Sequence, residues 1–346
     1  ATIVKTLIQM ASAYYTGSYY LWVAIELTFG IIYSFILNWK INQVYPWLRS
    51  EVRQGKQLFK KYPEVMKYTK QLFVHKLGGV VQNQTTPFLT YAFVSLQTVA
   101  FYGNYTIITD KLSLLISNFL ESTGAGVGNL IAEGGKEKIK KVFWELLSIR
   151  FWIAGTLIFL LYELLPSFIV LWIGNEYLLS DTVLVLLLLS FFISITRGVT
   201  DQFVFGYGLF YDTWAPIAES VIYIVIAIIG GIFYGLEGIL CGGIISRFVI
   251  IGIWKPYFLF TKGFQISVWK YWGNWIKYLV LIAIPFFTLE RSIDYFNLQI
   301  YILNGWVHWV LFATSITIIS SILYYIVLYI GTKGMRYFTE RIIYKK

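Results

Sequence analysis

The sequence predicts an all-α polytopic membrane protein, and three observations lead to that fold class. Hydrophobic residues make up 58% of the chain and charged residues only 13%, about half of the roughly 25% that is typical of soluble domains. Apolar runs of about 20 residues, the length of a helix that crosses the hydrocarbon core, recur along the chain. Lys and Arg are concentrated in every second connection between those runs, as expected for a chain that crosses a membrane repeatedly.

About ten transmembrane helices are predicted in order along the chain. The first is a partial helix at 1–12, because the chain starts inside an apolar segment and without Met. We therefore expect that the N-terminal part of a longer protein is missing. The others are predicted at 19–39, 74–96, 99–131, 142–164, 181–209, 214–235, 238–261, 268–289 and 306–332.

The distribution of positive charge predicts how these helices are oriented. The segment 40–76 holds nine of the 28 Lys and Arg residues, 133–141 holds four, 255–277 holds four, and the tail from Lys333 holds five. The alternate loops hold almost none. By the positive-inside rule, the basic loops and the C-terminus face the cytoplasm. The net charge of +10 is therefore mostly a topological signal, and no compact basic domain suggests nucleic-acid binding.

The long basic connection at 40–73 has a composition of its own. Its stretch QGKQLFKKYPEVMKYTKQLF interleaves apolar and aromatic residues with lysines. Helices of that composition lie along a leaflet that carries anionic lipids. We interpret 40–73 both as a linker between helical bundles and as an anchor to anionic membrane lipids.

Topology leaves ten ionisable residues at membrane depth, where a charge at the bilayer centre costs about 2.5–3.5 kcal/mol by insertion scales. They are Lys5, Glu26, Asp110, Lys111, Glu121, Arg150, Arg197, Asp201, Glu219 and Arg247. Arg150 is close to the start of its helix and is expected to snorkel to the cytoplasmic headgroups. Arg197, Asp110, Lys111 and Arg247 are harder to place against lipid.

Arg197 and Asp201 are one helical turn apart, and two interpretations of them stay open. Either they form an ion pair that lowers its own insertion cost, or they line a hydrated cavity between helices. Asp110 and Lys111 favour a cavity, because adjacent residues point about 100° apart and cannot share one helix face. The polar residues at 82–86, just before a proline, also favour it, because a proline inside a span is tolerated where water or neighbouring groups satisfy the freed carbonyl.

Sequence motifs for catalysis and metal binding are absent. There is no Walker sequence, HExxH or GxSxG, and the chain has one Cys and two His. No catalytic residue, metal site or cofactor is therefore predicted, and a transporter fits the sequence better than an enzyme.

Three stretches carry a resemblance to a known family. They are VAFYGNYTIITDKLSLLISNFLESTGAGVGNLIAEGGKEKIKKVF (99–143), LWIGNEYLLSDTVLVLLLLSFFI (171–193) and DTWAPIAESVIYIVIAIIGGIFYGLEGILCGGIIS (212–246). The Tyr-Gly-Asn-Tyr element at 102–105 and the Gly-Leu-Glu-Gly element at 235–238 stand in the order that the family shows. With these stretches the chain resembles the polysaccharide repeat-unit flippases, the O-antigen and capsule exporters of the multidrug/oligosaccharidyl-lipid/polysaccharide superfamily.

The resemblance implies a MATE-like fold of two six-helix lobes, related by a pseudo-twofold axis along the membrane normal. Residues 1–39 would be the last helices of an incomplete lobe one, and 40–73 the basic cytoplasmic linker between the lobes. Residues 74–262 would form the six-helix lobe two. Residues 263–346 would add two C-terminal helices and a basic tail.

The resemblance also implies a function in the cytoplasmic (inner) membrane of a bacterium. Members of the family move an undecaprenyl-diphosphate-linked oligosaccharide from the inner to the outer leaflet by alternating access, with a coupling cation such as H⁺ or Na⁺. The site residues that follow are Arg197, Lys111 and Arg247 for the diphosphate headgroup, Asp110, Asp201 and Glu219 as counter-charges or coupling-ion sites, and Gln82, Asn83, Tyr91 and Tyr102 for the sugars.

Three other functions are less consistent with the sequence, and one of them, a non-transporting membrane scaffold, does not account for the charges inside the spans. A drug or cation antiporter of the same superfamily should have a cavity dominated by acidic residues, whereas Lys and Arg are at least as numerous inside these spans. A membrane polysaccharide polymerase should have a large external loop with basic residues, whereas the predicted external loops are short and hold almost no Lys or Arg.

Overall fold

The computed structural model describes residues 2–47, 52–298 and 305–343, and these residues form helices joined by short turns, with no β-strand among them. The predicted all-α class is confirmed. Five helical segments are long and apolar enough to cross a membrane: Tyr19–Val44, Lys136–Ile173, Asp181–Gly206, Trp214–Phe264 and Trp306–Gly331. The protein is therefore of the membrane-embedded kind that the composition predicts.

The chain divides into two compact units, Ala1–Lys67 and Tyr68–Lys346. The first unit contains helices α1 (Thr2–Thr16), α2 (Tyr19–Val44) and α3 (Val52–Lys61). Helix α3 is short and carries Lys60 and Lys61 in its last turn, in keeping with the basic character of the segment around it.

Helices α1 and α2 are joined by a tight turn, in which Gly17 adopts a positive φ of 59°. Lys5 of α1 forms an ion pair with Glu26 of α2, with Nζ 2.6 Å from Oε1. Gln9 donates a second hydrogen bond to the Glu26 carboxylate over 3.0 Å. Two of the charges predicted inside spans are thus partners of each other across a helical hairpin, which lowers the cost of placing either in lipid.

The second unit begins within α4 (Pro63–Phe93) and continues with α5 (Leu96–Glu121), α6 (Gly124–Glu133), α7 (Lys136–Ile173) and α8 (Asp181–Gly206). Serine side chains cap two of these helices, since Ser95 accepts from the Thr98 amide and Ser180 from the Val183 amide.

The predicted span at 99–131 is divided between α5 and α6. The two helices are separated at Ser122 and Thr123, whose hydroxyls donate to the carbonyls of Phe119 and Leu120 at the end of α5. These side-chain bonds compete with continuation of the helix, which is why short hydroxyl residues favour helix ends. The sequence pattern missed this break because the apolar run continues through it.

Helix α9 (Trp214–Arg247) is two helices joined at a sharp turn. Gly235 has φ 58° and ψ −132°, which no helix contains. A Cβ added to Gly242 would lie 2.7 Å from the backbone nitrogen of Ala227, although residues 15 apart in a straight helix are about 22 Å apart. The segment therefore forms a helical hairpin with closely packed backbones, in agreement with the predicted pair of spans at 214–235 and 238–261.

The chain then continues through Phe248–Trp254 in π-helical geometry, α10 (Lys255–Phe258), a second π-helical stretch at Leu259–Phe264, α11 (Trp269–Tyr295), α12 (Trp306–Gly331) and α13 (Lys333–Ile343). Helix α7 lies in the core of the unit. Its fully buried Phe143 packs edge-to-face against Phe203 of α8 and against Phe260 and Phe264, with ring centroids 5.3 to 5.5 Å apart. Edge-to-face packing of this kind stabilises aromatic cores beyond area burial alone.

Candidate functional site

A polar cleft of about 540 Å³ lies between α4, α8, the turn at 207–213 and the α9 hairpin. Apolar side chains such as Phe205, Phe210 and Ile251 form part of its wall. Its charged and amide groups are Lys76, Gln82, Arg197, Asp201, Glu219 and Lys255. Four of these six were predicted from the sequence as site residues, so the structure brings side chains from three helices to one place.

Arg197 and Asp201 line this cleft and are also paired with each other. Arg197 Nε donates to Asp201 Oδ2 over 2.8 Å, and the two side chains are 38% and 24% exposed. Neighbouring residues on the other side of α8, among them Val199 and Phe203, are fully buried. Arg197 and Asp201 therefore form the ion pair of the first interpretation, and that pair lines a cleft.

Gln82 connects the cleft to both halves of the α9 hairpin. Its side-chain nitrogen donates to Glu219 Oε1 over 2.8 Å, and its oxygen accepts from Arg247 Nε over 3.2 Å. A longer contact of 3.4 Å leads to the Ser246 hydroxyl. Gln82 is 7% exposed, so a buried amide lies between an acid and a base that are 28 positions apart in the chain.

The turn at Gly235 is what places Glu219 and Arg247 beside the same side chain. One helical turn further along α4, the hydroxyls of Thr86 and Tyr223 lie 2.7 Å apart. Thr86 and Tyr223 are each four residues after Gln82 and Glu219, so the two contacts lie one helical turn apart on both helices. The face of α4 before Pro87 is thus bonded to the α9 hairpin, as the polar stretch at 82–86 suggested.

The two arginines each use only part of the guanidinium inside the protein. Arg197 and Arg247 form their side-chain hydrogen bonds through Nε. Within the described residues, neither arginine has a hydrogen bond from its terminal amino groups. Since a guanidinium carries five N–H donors in a planar fork, the donors that remain on Arg197 can bind a phosphate group in the cleft.

A second charged cluster closes one end of the cleft, around the buried carboxylate of Asp212. Lys255 Nζ donates to Asp212 Oδ2 over 2.7 Å and Trp254 Nε1 donates to the same oxygen over 3.0 Å. His75 Nε2 lies 3.3 Å from Oδ1 and 3.4 Å from the Phe210 carbonyl oxygen. Burial on its own would raise the pKa of Asp212, but the contacts with His75, Lys255 and Trp254 together hold that pKa below its ordinary value.

This cluster was not predicted as part of the site. Lys255 belongs to the basic residues that the sequence assigned to a cytoplasmic loop, whereas the structure buries it within a helix at 8% exposure. The sequence predicted no role for His75. The 43 positions between Asp212 and Lys255 contain no pattern that could have linked them.

Arg150 lies elsewhere than the sequence indicated. The expectation was that it snorkels to the headgroups, but it is 5% exposed and its Nη1 donates to the Ile195 carbonyl over 3.0 Å. Gly198 of α8 leaves the space that the guanidinium occupies, since a Cβ there would overlap it. A cation bonded to a helix carbonyl and packed on a glycine is held inside the bundle, which is why it does not reach the surface.

The remaining predicted site residues, Arg247 among them, do not line the cleft. Asp110, Lys111 and Tyr91 are exposed on α5 and α4. Tyr102 is half-buried and lies within electrostatic range of Arg247. The side chain of Asn83 lies outside the described part of the structure.

Chemically, the cleft combines cations, amides and paired carboxylates in a largely apolar unit. It has the donors for an anionic, hydroxyl-rich group. Within the described residues, no three His, Cys, Asp or Glu side chains are grouped so that they could hold a metal ion. The chain matches no protein-family model, no curated protein and no solved structure.

Proposed function

We propose that this protein is a transporter that moves an undecaprenyl-diphosphate-linked oligosaccharide from the inner to the outer leaflet of a bacterial cytoplasmic membrane for surface polysaccharide synthesis. The proposal includes the two-lobe, MATE-like arrangement, the count of about ten spans and the cytoplasmic placement of the basic loops. It rests on the resemblance of 99–143, 171–193 and 212–246 to repeat-unit flippases and on the chemistry of the polar cleft.

One observation carries most of the argument: Arg197 lines a cleft inside apolar helices with its terminal amino groups unused, and Arg247, whose terminal amino groups are also unused, is bonded to Gln82 in the wall of that cleft. A diphosphate headgroup that crosses the hydrocarbon core loses its hydration. The free-energy cost of that desolvation is prohibitive unless the protein supplies hydrogen bonds in place of water. Guanidinium donors placed in advance replace that hydration with parallel hydrogen bonds.

The other groups of the cleft fit the same role. Asp201 and Glu219 balance the arginine charges while the cleft is empty and are candidates for a coupling cation, H⁺ or Na⁺. Lys76 and Lys255 keep the cleft from being dominated by acids, in contrast to what a cation antiporter needs. Sugar hydroxyls would find amide and hydroxyl partners at Gln82 and near it.

Alternating access gives this arrangement a mechanism. Part of the cleft is lined by residues of the basic stretch at 69–76, which the positive-inside pattern assigns to the cytoplasmic side. The headgroup would enter there, bind through the arginines, and be released when helices rock around the fixed site. The polyprenyl tail would stay in the lipid.

The test is complementation by the complete protein in a bacterial strain that lacks its own repeat-unit flippase. Wild type should restore surface polysaccharide and clear the lipid-linked repeat units that accumulate in the inner leaflet. Arg197→Ala should lose at least tenfold in surface polysaccharide at matched membrane abundance. Lys138→Ala serves as the control, because this lysine is exposed and its ion pair with Glu133 is on the surface.

Three results would contradict the proposal. Failure of wild type to restore polysaccharide in strains with several different repeat units would remove the function. Single repeat units accumulating on the outer leaflet would indicate a polymerase. Normal export by Arg197→Ala would reduce the pair with Asp201 to a device for membrane insertion and leave the headgroup without its proposed ligand.

A further inference from the structure

A second cavity, separate from the polar cleft, has the composition of an anion-binding site. It has a volume of about 550 Å³ and lies where the N-terminal ends of α7, α11 and α13 meet the C-terminal end of α12. No residue lines both this cavity and the polar cleft. We call it the basic cavity, and its charged lining is Glu137, Lys140, Lys141, Lys270, Lys277 and Lys333.

Five lysines face one glutamate in the basic cavity, so their charges are not balanced from within. Lys140 forms an ion pair with Glu137 over 2.8 Å, and Lys141 stands 4.4 Å from the centre of the Tyr337 ring in a cation–π contact. Within the described residues, Lys270, Lys277 and Lys333 have no ion pair or side-chain hydrogen bond. All three are exposed and line the same cavity, so an anion that enters it lowers the repulsion among them.

The wall of the basic cavity is held in place by tight packing between α13 and α7. A Cβ on Gly334 would overlap the carbonyl of Trp144 and the hydroxyl of Ser148, so only glycine allows the two helices to approach this closely. Next to it, Met335 is fully buried. The cavity is therefore built by the fold and is not a gap beside a loose tail.

Arg336 fixes the corner between α12 and α13. Its Nε donates to the Tyr329 carbonyl over 3.0 Å and its Nη2 to the Ile330 carbonyl over 2.6 Å, which satisfies the last carbonyls of α12. Thr332 accepts from the Met335 amide at the start of α13. Lys333 lies between these two caps, so the backbone that carries its side chain is anchored at both sides.

We propose that the basic cavity binds an anion that carries two phosphate groups. Its volume exceeds what one phosphate fills, and three unpaired lysines suit a ligand with at least two negative charges. The N-termini of α7, α11 and α13 add partial positive charge at the same end. Trp144 and Tyr337 in the lining are residues favoured at the headgroup level of a bilayer.

Two sources could present that chemistry to the basic cavity. The lysine-rich ends of α7, α11 and α13 are on the side that the positive-inside pattern assigns to the cytoplasm, where basic pockets between membrane helices bind the head groups of lipids that carry more than one phosphate. A soluble diphosphate could reach the same face. The two share the phosphate chemistry and differ in whether an acyl chain is needed.

The experiment measures binding of two probes to the complete protein in phosphatidylcholine nanodiscs. Cardiolipin supplies a lipid with two phosphates, and inorganic pyrophosphate supplies a soluble diphosphate. The pocket variant combines Lys270→Gln, Lys277→Gln and Lys333→Gln. The control variant removes the same charge at the exposed Lys136, Lys138 and Lys262, none of which lines the cavity.

At least one probe should bind wild type, with a loss of at least tenfold in the pocket variant and less than threefold in the control. Binding of cardiolipin alone identifies a lipid ligand, binding of pyrophosphate alone a soluble one, and both outcomes support the proposal. Equal losses in the two variants, or no binding of either probe to wild type, would overturn it. If the pocket variant does not purify as a folded protein, the single substitutions Lys270→Gln and Lys277→Gln are compared with the control Lys262→Gln. Each of the first two should lower the affinity for the probe about threefold relative to that control.

Discussion

The bond network around Gln82 predicts that this residue holds α4 to the α9 hairpin. Gln82→Leu keeps the approximate volume of the side chain and removes its hydrogen bonds to the carboxylate of Glu219 and the guanidinium of Arg247, which are 2.8 and 3.2 Å long. The contact of 3.4 Å with Ser246 is too long to add much. The substitution thus leaves two charged groups without a partner that the native structure provides.

The size of the effect follows from the setting. Hydrogen bonds between membrane helices contribute about 0.6 kcal/mol on average and up to about 1.7 kcal/mol in double-mutant cycles. Two bonds to charged groups place the loss from Gln82→Leu at about 1–3 kcal/mol in the free energy of unfolding. That range corresponds to roughly a fivefold to hundredfold change in the ratio of folded to unfolded protein.

The assay is reversible unfolding by SDS in mixed micelles, and the chain provides a matched control. Gln84 is exposed on the same helix, two residues away, so Gln84→Leu makes an identical chemical change outside the network. An exposed substitution of this kind should stay within about 0.5 kcal/mol of wild type. If the two variants differed by less than that amount, Gln82 would not couple the acid and the base, and the connected network would be a geometric coincidence.

A double-mutant cycle separates the two bonds. Combining Gln82→Leu with Arg247→Met and, separately, with Glu219→Leu should give coupling energies of about 0.5–1.7 kcal/mol in each cycle. Additive losses in both cycles would contradict the pairwise contacts even if Gln82→Leu by itself were destabilising.

Three further predictions concern a titrating carboxylate and two close helix contacts. Because the folded-state pKa of Asp212 is depressed, its stabilising effect is present above the ordinary aspartate pKa of about 3.9 and is lost as the pH falls through the folded value. Asp212→Asn should therefore lower the free energy of unfolding at pH 7 and flatten its dependence on pH between 5 and 3, measured by thermal unfolding. Gly242→Ala should destabilise the hairpin in SDS unfolding, because its Cβ would lie 2.7 Å from a backbone atom of Ala227. In the control Gly103→Ala, the added Cβ meets nothing within 4 Å, so the free energy of unfolding should rise by up to about 1 kcal/mol from helix propensity. Gly334→Ala should release α13 and speed amide hydrogen exchange there, while Gly273→Ala, also in open space, should leave exchange unchanged.

The fold could be predicted from the sequence wherever a local signal decides it. Apolar runs predicted the long helices, and the boundary between the runs predicted at 214–235 and 238–261 lies at the turn that the structure places at Gly235. The division of 99–131 at Ser122 could not be predicted from hydropathy, because the apolar run continues through the two residues whose side-chain bonds end α5. The π-helical stretches at 248–264 have no local signature of this kind.

The candidate site divides in the same way. Arg197 and Asp201 are neighbours on a helix, so their spacing already predicted a contact between them. Gln82, Glu219 and Arg247 meet only because α9 turns back at Gly235, and contacts over more than a hundred positions are set by packing. Sequence spacing could not predict that Asp110 and Lys111 are both exposed. It shows that adjacent side chains on a helix point in different directions, but not which of them faces a cavity.

The use of arginine in the cleft gives the sharpest distinction between a structural and a binding role. Arg197→Lys retains a positive charge that can still pair with Asp201, so a residue needed only to neutralise the helix would tolerate the change. An ammonium group lacks the planar fork, and once it has turned to Asp201 it cannot also present two parallel donors to a phosphate. Export should therefore fall nearly as far in Arg197→Lys as in Arg197→Ala while the abundance of both variants stays normal. Full export with lysine would mean that the charge, and not the geometry of the guanidinium, is what the cleft requires.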